Sequence, residues 1–198
     1  MIGMPSSGKS SIVKQIVLDK KLASDWKVKK YRKLRFMISQ KLKLIVFGVY
    51  DSDPKKTFSG TDMLSMDIYS DSTSFLRKLK EQGFTRFNIL IEGDRFNNGK
   101  FFDHLKRMDY DNSIIVVNIS SQQLEKRQFA RGNQQSEQFI KRCRTKVSNI
   151  IDRYTCNVFD NNDADDFVLI VGELKWMLGV GDENFKPKIL IRRNTKQP

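Results

Sequence analysis

The chain has 198 residues, of which 39% are hydrophobic and 11% aromatic, a composition typical of a globular protein and not of a disordered one. Its 36 Lys and Arg outnumber its 23 Asp and Glu, and this net charge of +13 favours polyanionic partners, nucleic acid before membrane surfaces. No apolar run approaches the roughly 20 residues that a membrane span needs, and 2 cysteines are too few for a disulfide framework. We therefore expect one domain with insertions in a reducing cytoplasm and no membrane partner.

Residues 3–10 read G-M-P-S-S-G-K-S and fit the pattern G-x-x-x-x-G-K-[ST] without a mismatch. In this motif the backbone N–H groups of a Gly-rich turn bind phosphate oxygens, the lysine reaches the β- and γ-phosphates, and the next hydroxyl binds Mg²⁺. The N-terminus of the following helix attracts the same anion. The pattern predicts that ATP and Mg²⁺ are held by seven residues of this phosphate loop: Gly3, Ser6, Ser7, Gly8, Lys9, Ser10 and Ser11.

Such a loop should follow a buried central strand, yet only Met1 and Ile2 precede Gly3. We expect either that the true start lies upstream or that the central strand is a short stub. After the loop, hydrophobic periodicity predicts alternating elements. The predicted helices are 9–22, 73–82, 100–109, 121–131, 136–153 and 164–178, and the predicted strands are 35–39, 43–50, 87–91, 114–119 and 158–159.

This alternation predicts an α/β fold with a doubly wound, mostly parallel sheet. Strands 35–39 and 43–50 are close enough to form an antiparallel hairpin, so we expect a hairpin insertion at about 27–50. The break at Gly132 and Asn133 divides the segment at about 121–145, which the family resemblance given below implies is a small helical lid. The whole domain would cover residues 1–179, followed by a basic tail at 180–198.

Carboxylates follow two of the predicted strands, at the edge where open α/β sheets place their ligands. We expect Glu92 and Asp94 to take part in water-mediated Mg²⁺ binding or in substrate contact, with Glu92 assigned to the metal beside Ser10. Asp51 or Asp53 could accept the proton of an acceptor hydroxyl, because a carboxylate within hydrogen-bond reach can act as a general base. A turn at Asp53 and a strand-end cap at Asp51 are the alternatives, and we favour the turn for Asp53 and catalysis for Asp51.

Two arginines, Arg127 and Arg131, are four residues apart and therefore on one helix face. They could close over the phosphates as lid residues, because fixed guanidinium donors suit phosphate better than lysines do. A solvated helix face is the alternative. Thr61 and Asp62, with Arg95, are candidates for substrate binding, although Thr61 and Asp62 could equally cap a short helix.

The positive charge is concentrated in two segments. The first interleaves Tyr31 and Phe36 with eight basic residues: Lys27, Lys29, Lys30, Arg32, Lys33, Arg35, Lys41 and Lys43. The second is the tail, with Lys186, Lys188, Arg192, Arg193 and Lys196. A Lys-rich solvated surface would also explain them, but their grouping favours DNA as a partner.

The order of these features resembles the nucleoside-monophosphate-kinase branch of the P-loop kinases, over nearly the whole chain up to about residue 178. The matching parts are the phosphate loop, the acidic strand end at 92–95, the helix of Arg127 and Arg131 before a Gly break, and the strand 158–159 before a closing helix. The resemblance implies an ATP-dependent phosphotransferase that uses Mg²⁺.

Within that superfamily, residues 48–51 (G-V-Y-D), 60–66 (G-T-D-M-L-S-M) and 91–95 (I-E-G-D-R) look like a phage group of kinases. Those kinases phosphorylate 5-hydroxymethyluracil already in DNA. The resemblance implies a phage origin, the host cytoplasm and a DNA substrate; the short first strand departs from both patterns. A free deoxynucleoside-monophosphate kinase and a nucleotide-dependent DNA-binding ATPase are the alternatives, and a free-nucleotide kinase has no need of the basic segments.

Overall fold

The computed structural model describes residues 1–53, 60–130, 132, 135–187 and 191–192. Its strands are β1 Ile2–Gly3, β2 Lys27–Tyr31, β3 Leu34–Ser39, β4 Leu44–Phe47, β5 Asn88–Leu90, β6 Ile114–Asn118, β7 Cys156–Asp160 and β8 Ile191–Arg192. Its α-helices are α1 Lys9–Val17, α2 Tyr69–Glu81, α3 Gly99–Arg107, α4 Ser121–Ala130, α5 Glu137–Arg153 and α6 Ala164–Met177. Short 3-10 helices occupy Thr61–Met63 and Asp94–Phe96. Among these described residues, no helix is both long enough and apolar enough to cross a membrane.

The strands form two four-stranded sheets, in the orders β1-β6-β7-β8 and β2-β3-β4-β5. The two sheets meet at Met1, whose amino nitrogen donates to the carbonyl oxygen of Ile91 at 2.6 Å. The amide of Gly93 in turn donates to the carbonyl oxygen of Met1 at 3.2 Å. The start of β1 is thus hydrogen-bonded to the residues that follow β5.

The prediction of a mostly parallel sheet was only partly right. In the described residues three strand pairs are parallel (β1–β6, β6–β7 and β4–β5) and three are antiparallel (β2–β3, β3–β4 and β7–β8). The hairpin expected from strands 35–39 and 43–50 is present as β3–β4. The basic segment before it adds the unpredicted edge strand β2, and the tail adds β8.

Helices cover both faces of the strands, as a doubly wound fold requires. On one face, residues of α2, α3 and α5 share a core with Ile2 and Val116 of the first sheet and Phe36 and Phe47 of the second. On the other face, residues of α1 and α6 share a core with strand residues from both sheets: Met37, Leu44, Val46, Leu90, Ile115, Val117 and Phe159. Because each core takes side chains from both sheets, the sheets lie side by side and form one middle layer.

Several helices begin or end at residues other than those that hydrophobic periodicity predicts. Helix α1 ends at Val17 because the carbonyl of Asp19 accepts the amides of Leu22 and Ala23 in a turn. Helix α2 begins at Tyr69, four residues before the expected start. Where a side chain caps the helix, as Ser136 does for α5 by accepting from the amide of Phe139, the predicted start was right to within one residue.

The parallel pairings collect the carboxyl ends of β1, β4, β5, β6 and β7 at one edge of the middle layer. The phosphate loop follows β1 there, and the predicted acidic residues follow β4 and β5. Since β3 runs antiparallel to β4, the β2–β3 turn lies at the same edge.

Candidate active site

The phosphate loop has a backbone that only glycine fits at its two ends. Gly3 has φ +149°, and a Cβ there would lie 2.2 Å from the carbonyl oxygen of Val117 in β6. Gly8 has φ +92°, and a Cβ there would lie 2.5 Å from Nδ2 of Asn161. Parallel pairing with β6 and close approach of the segment after β7 therefore fix the loop where α1 begins.

Lys9 is buried within the loop that it follows in sequence. Its Nζ donates to the carbonyl oxygens of Met4 at 2.7 Å and Gly3 at 3.2 Å, and to Oγ of Ser7 at 3.3 Å. Burial lowers the pKa of Lys9 from its ordinary value, and the negative charge of Glu92 opposes that shift. The ammonium is thus held at the centre of the loop by three oxygen acceptors.

Glu92 is a buried carboxylate, only 2% exposed, that accepts hydrogen bonds from hydroxyl groups of three segments. Its Oε1 accepts from Ser10 Oγ at 3.0 Å, from the Tyr50 hydroxyl at 3.0 Å and from Thr61 Oγ1 at 3.3 Å. Thr61 Oγ1 also donates to the backbone carbonyl of Glu92 at 2.8 Å. The loop helix, the segment after β4 and the 3-10 helix at 61–63 are therefore joined through one side chain.

Tyr50 belongs to this site although the sequence analysis gave it no role. It is 2% exposed, and burial and then the charge of Glu92 raise its pKa well above the ordinary value. It therefore stays a neutral hydroxyl donor to Glu92. Its position at the end of an apolar strand, just before Asp51, was the only sequence signal, and it does not distinguish a core tyrosine from a site tyrosine.

Two ion pairs lie beside Glu92. Arg95 Nη1 is 3.4 Å from Asp62 Oδ1, and Lys146 Nζ is 3.0 Å from Asp94 Oδ2. The charges of Asp62 and Asp94 both act to raise the pKa of Lys9, after the larger effects of burial and of Glu92. Lys146 was missed in the sequence, because its place depends on how α5 packs against the loop.

A cleft of about 410 Å³ opens on the other side of the loop. Ten residues line it: Ser6, Gly8, Ser11, Gln123, Arg127, Asn161, Asn162, Asp163, Ala164 and Phe167. The Nη2 of Arg127 donates to the carbonyl oxygen of Asn161 at 2.9 Å, and its Nη1 donates to that of Ser6 at 3.4 Å. Asn161 in turn donates through Nδ2 to the carbonyl oxygen of Ser7 at 2.6 Å. The cleft therefore joins the loop, α4 and the start of α6.

Residues 1–172 match the family model described as P-loop Nucleotide Kinase3. The chain belongs to the P-loop Nucleotide Kinase3 family. The matched range contains the loop, Glu92, both ion pairs and the cleft residues. No curated protein and no solved structure matches the chain. Membership of this P-loop kinase family supports ATP-dependent kinase activity, and it implies the use of a nucleotide and usually of Mg²⁺.

The residues of the kinase that were assigned to the metal fit a magnesium site. Ser10 Oγ and Glu92 Oε1 are 3.0 Å apart, one a hydroxyl and the other a carboxylate, which are the oxygen donors that Mg²⁺ prefers. Among the described residues, no group of three or more His, Cys, Asp and Glu side chains could hold a metal ion. Magnesium here would therefore need phosphate oxygens and water to complete its shell, as kinase sites commonly do.

The other predicted residues of the kinase are distributed around this centre. The charges of Asp62 and Asp94 act on Lys9, and Asp51 Oδ1 accepts from the amide of Asp53 at 3.3 Å. Ser7 is fully buried in the loop, while Ser6 and Ser11 line the cleft. Arg131 lies outside the described residues. The catalytic and substrate-binding roles of all these residues stay predictions.

Proposed function

We propose that this P-loop kinase transfers the γ-phosphoryl group of ATP to a hydroxyl on a modified pyrimidine, with 5-hydroxymethyluracil in DNA as the leading acceptor. The observation that carries the kinase assignment is the Ser10–Glu92 contact beside the buried Lys9. In this proposal Ser10 and Glu92 bind the metal and Lys9 binds phosphate, all at one edge of the sheet. The cleft lies on one side of them and the two ion pairs on the other.

The acceptor assignment rests on three stretches that resemble the phage kinases and that meet in space. Tyr50 belongs to residues 48–51, Thr61 to residues 60–66 and Glu92 to residues 91–95. The hydroxyl groups of Tyr50 and Thr61 both donate hydrogen bonds to Oε1 of Glu92. Arg95 and Asp62 form a second contact between the last two stretches. Segments that are far apart in sequence thus build one wall of the site, which supports reading them together as an acceptor pocket.

The chain's own groups provide the steps of transfer. ATP with Mg²⁺ would supply the phosphoryl group, whose bond to the acceptor oxygen forms as its bond to the β-phosphate oxygen breaks and ADP leaves. Lys9 and the amides at the start of α1 neutralise the charge of the transferred group. Asp94, whose charge acts on Lys9, takes the proton of the acceptor hydroxyl. Arg127 closes the cleft over the donor nucleotide.

A polymeric acceptor is supported by the unpaired charge on the β2–β3 edge. Lys27, Lys29 and Lys30 are exposed on β2, and Lys30 lies directly opposite Arg35 on β3. Like charges opposite one another destabilise a β ladder, so an anion that bridges them would relieve repulsion. Within the described part of the chain none of these four residues forms an ion pair. Side chains alternate along a strand, so Lys27 and Lys29 lie on one face of the sheet edge and Lys30 and Arg35 on the other. We call these four cations at the edge the β2 track: Lys27, Lys29, Lys30 and Arg35.

The β2 track begins at the strand edge that holds the active site. The carbonyl oxygen of Arg35 accepts from the amide of Gly48, directly after β4. By contrast, Arg32 and Lys33 in the β2–β3 turn are already paired with Asp71 at 3.6 Å and Asp67 at 2.6 Å on the α2 side. The turn cations have carboxylate partners in this structure, which favours the track as the first contact for a DNA backbone. Lys188, Arg193 and Lys196 of the predicted basic tail lie outside the described residues.

The test is phosphoryl transfer from γ-labelled ATP to a matched set of acceptors. The set contains duplex and single-stranded DNA with 5-hydroxymethyluracil, the same DNAs with thymine, the free hydroxymethylated monophosphate, and no acceptor. We expect label on the hydroxymethylated DNA alone, and none with Lys9→Ala. Label on the monophosphate but not on DNA would make the protein a free-nucleotide kinase. Phosphate release without any acceptor would make it an ATPase.

A further inference from the structure

Two methionines are held outward on the segment 60–68, just before α2. Met63 is 58% exposed and Met66 is 83% exposed, whereas Leu64 and Ile68 beside them are buried. The amide of Leu64 donates to the carbonyl oxygen of Thr61 at 3.0 Å, which fixes the backbone between them. The methionine side chains are therefore presented to solvent by an anchored backbone.

This segment connects the proposed active site to the β2–β3 turn. At one end, Thr61 Oγ1 donates to the backbone carbonyl of Glu92 at 2.8 Å. At the other end, Asp67 Oδ2 accepts from Nζ of Lys33 in the turn at 2.6 Å. The two methionines lie between these contacts, so they stand between the site of transfer and the hairpin that carries the β2 track. Single exposed hydrophobic residues are common, but an apolar pair in this place borders both surfaces that the acceptor would use.

The groups that would perform transfer are recessed in the protein. Glu92 is buried and Lys9 is only 9% exposed, so a base that stays stacked in duplex DNA cannot bring its hydroxyl group to them. Enzymes that act on a base of a duplex extrude it from the stack and bear the cost of unstacking it. Proteins that open a base step often insert an apolar side chain, methionine among them, and the flexible thioether adapts to irregular apolar surfaces.

We propose that Met63 and Met66 form a wedge that enters a base step of duplex DNA and holds the stack open while the target base occupies the site. This inference rests on the proposed function and deepens it, because it makes the duplex an acceptor form. The β2 track contacts the anionic backbone, and the wedge contacts the faces of the bases. The apolar pair and the nearby cations together match DNA, whose backbone is charged and whose bases are apolar on their faces.

The experiment measures unstacking without phosphoryl transfer, in the presence of ADP and Mg²⁺. The probe is a DNA duplex with 2-aminopurine next to 5-hydroxymethyluracil, because the fluorescence of 2-aminopurine rises when its neighbour leaves the stack. The matched probe is the labelled strand without its complement. The proteins are the wild type, the double variant Met63→Ala/Met66→Ala, the apolar replacement Met63→Leu/Met66→Leu, and the control Val168→Ala, which trims a side chain that is 67% exposed on α6.

We expect the wild type to raise the fluorescence of the duplex probe and the double alanine variant to lose most of that rise. The alanine variant should also bind the duplex about 10- to 100-fold more weakly, the loss that corresponds to methionine side chains that no longer become buried. Its affinity for the single strand should stay close to that of the wild type, which also shows that the variant is folded. The leucine variant should keep the rise because it keeps the apolar volume, and Val168→Ala should behave as the wild type.

Three results would overturn the wedge. The first is no fluorescence rise with the wild type, or a rise that does not depend on the two methionines. The second is an equal loss of duplex and single-strand binding in the alanine variant, which would make the methionines part of a pocket for the base. The third is a wild-type dimer that the alanine variant dissociates while DNA binding is unchanged, which would make the pair an interface between copies.

The wedge and the proposed function fail in different ways. Methionine-dependent opening of the duplex without labelling of any acceptor would reject the kinase function and keep the wedge. Labelling of hydroxymethylated DNA with methionine-independent opening would reject the wedge alone. Labelling of the free monophosphate alone, with no binding of either DNA probe, would reject both.

Discussion

Replacing Glu92 separates the contacts of this side chain with three hydroxyl groups from its proposed role in binding Mg²⁺. Glu92→Ala removes the acceptor of three hydroxyl groups. Thr61 keeps its bond to the backbone carbonyl at 2.8 Å, and the partly exposed Ser10 can turn to water, but the buried Tyr50 hydroxyl is left without a partner. A buried unsatisfied donor costs about 1–3 kcal/mol, and with the smaller loss at Ser10 we expect a total of about 2–4 kcal/mol.

Glu92→Gln is the matched variant, because an amide oxygen still accepts from the same hydroxyls while the charge is lost. For a domain of 150–250 residues each kcal/mol shifts the melting temperature by about 2–4 °C. We therefore expect Glu92→Ala to melt about 5–15 °C below the wild type and Glu92→Gln to melt within about 4 °C of it. Both should lose about 10²-fold or more in turnover, since each removes the carboxylate of the proposed metal site at Ser10.

The assay is a thermal melt of each variant, followed by labelled transfer across a range of Mg²⁺ concentrations. Equal melting temperatures for the two variants would show that the hydroxyl contacts do not stabilise the fold. Wild-type turnover by Glu92→Gln, with an unchanged Mg²⁺ requirement, would remove Glu92 from the metal site.

Three further predictions follow from the same site. Lys9→Ala should abolish transfer and leave the circular dichroism spectrum unchanged, because the hydrogen bonds of Lys9 Nζ are to the loop itself; turnover like that of the wild type would refute the phosphate-loop assignment. Arg127→Ala should reduce turnover by roughly 10²–10³ and ATP affinity much less, as measured by steady-state kinetics, and unchanged turnover would limit Arg127 to its contacts with Ser6 and Asn161. Replacing Lys27, Lys29, Lys30 and Arg35 together should weaken DNA binding and reduce its log–log salt slope by up to roughly 0.9 per lost phosphate contact, with ATP binding unchanged. The matched control replaces the ion-paired Arg32 and Lys33, and an equal loss of slope in that control would show that the β2 track has no special role.

The sequence was sufficient for the parts of the site that are contiguous. The phosphate loop is a single motif, and Glu92 and Asp94 directly follow a strand that periodicity finds, so their place at the sheet edge could be predicted from one rule. Lys146 and Tyr50 could not be found in this way. Each reaches the site through tertiary packing, Lys146 by the contact of α5 with Met4 and Tyr50 by the approach of the segment after β4 to Glu92.

In the fold as well, elements defined by neighbouring residues were predicted, whereas those that depend on pairing with another segment were not. The hairpin β3–β4 was predicted because its strands are neighbours in sequence. Strand β2 was not, because Lys27, Lys29 and Lys30 give it neither an apolar face nor a clear alternation. It exists because its backbone completes a ladder with β3, from Lys27 opposite Ile38 to Tyr31 opposite Leu34. Pairing with a partner strand overrides the weak intrinsic preference of lysine for β structure.

The exposed lysines of β2 also bear on how the protein behaves at high concentration. An edge strand presents a row of free backbone donors and acceptors, and a second molecule can extend the sheet by pairing with it. Lys27, Lys29 and Lys30 place charge along that edge and repel an identical strand. DNA that covers the track would screen this repulsion only while it is bound. Variants that remove the lysines should therefore carry glutamine or glutamate and not an apolar residue, and their monomeric state should be checked by light scattering before any loss of DNA binding is interpreted.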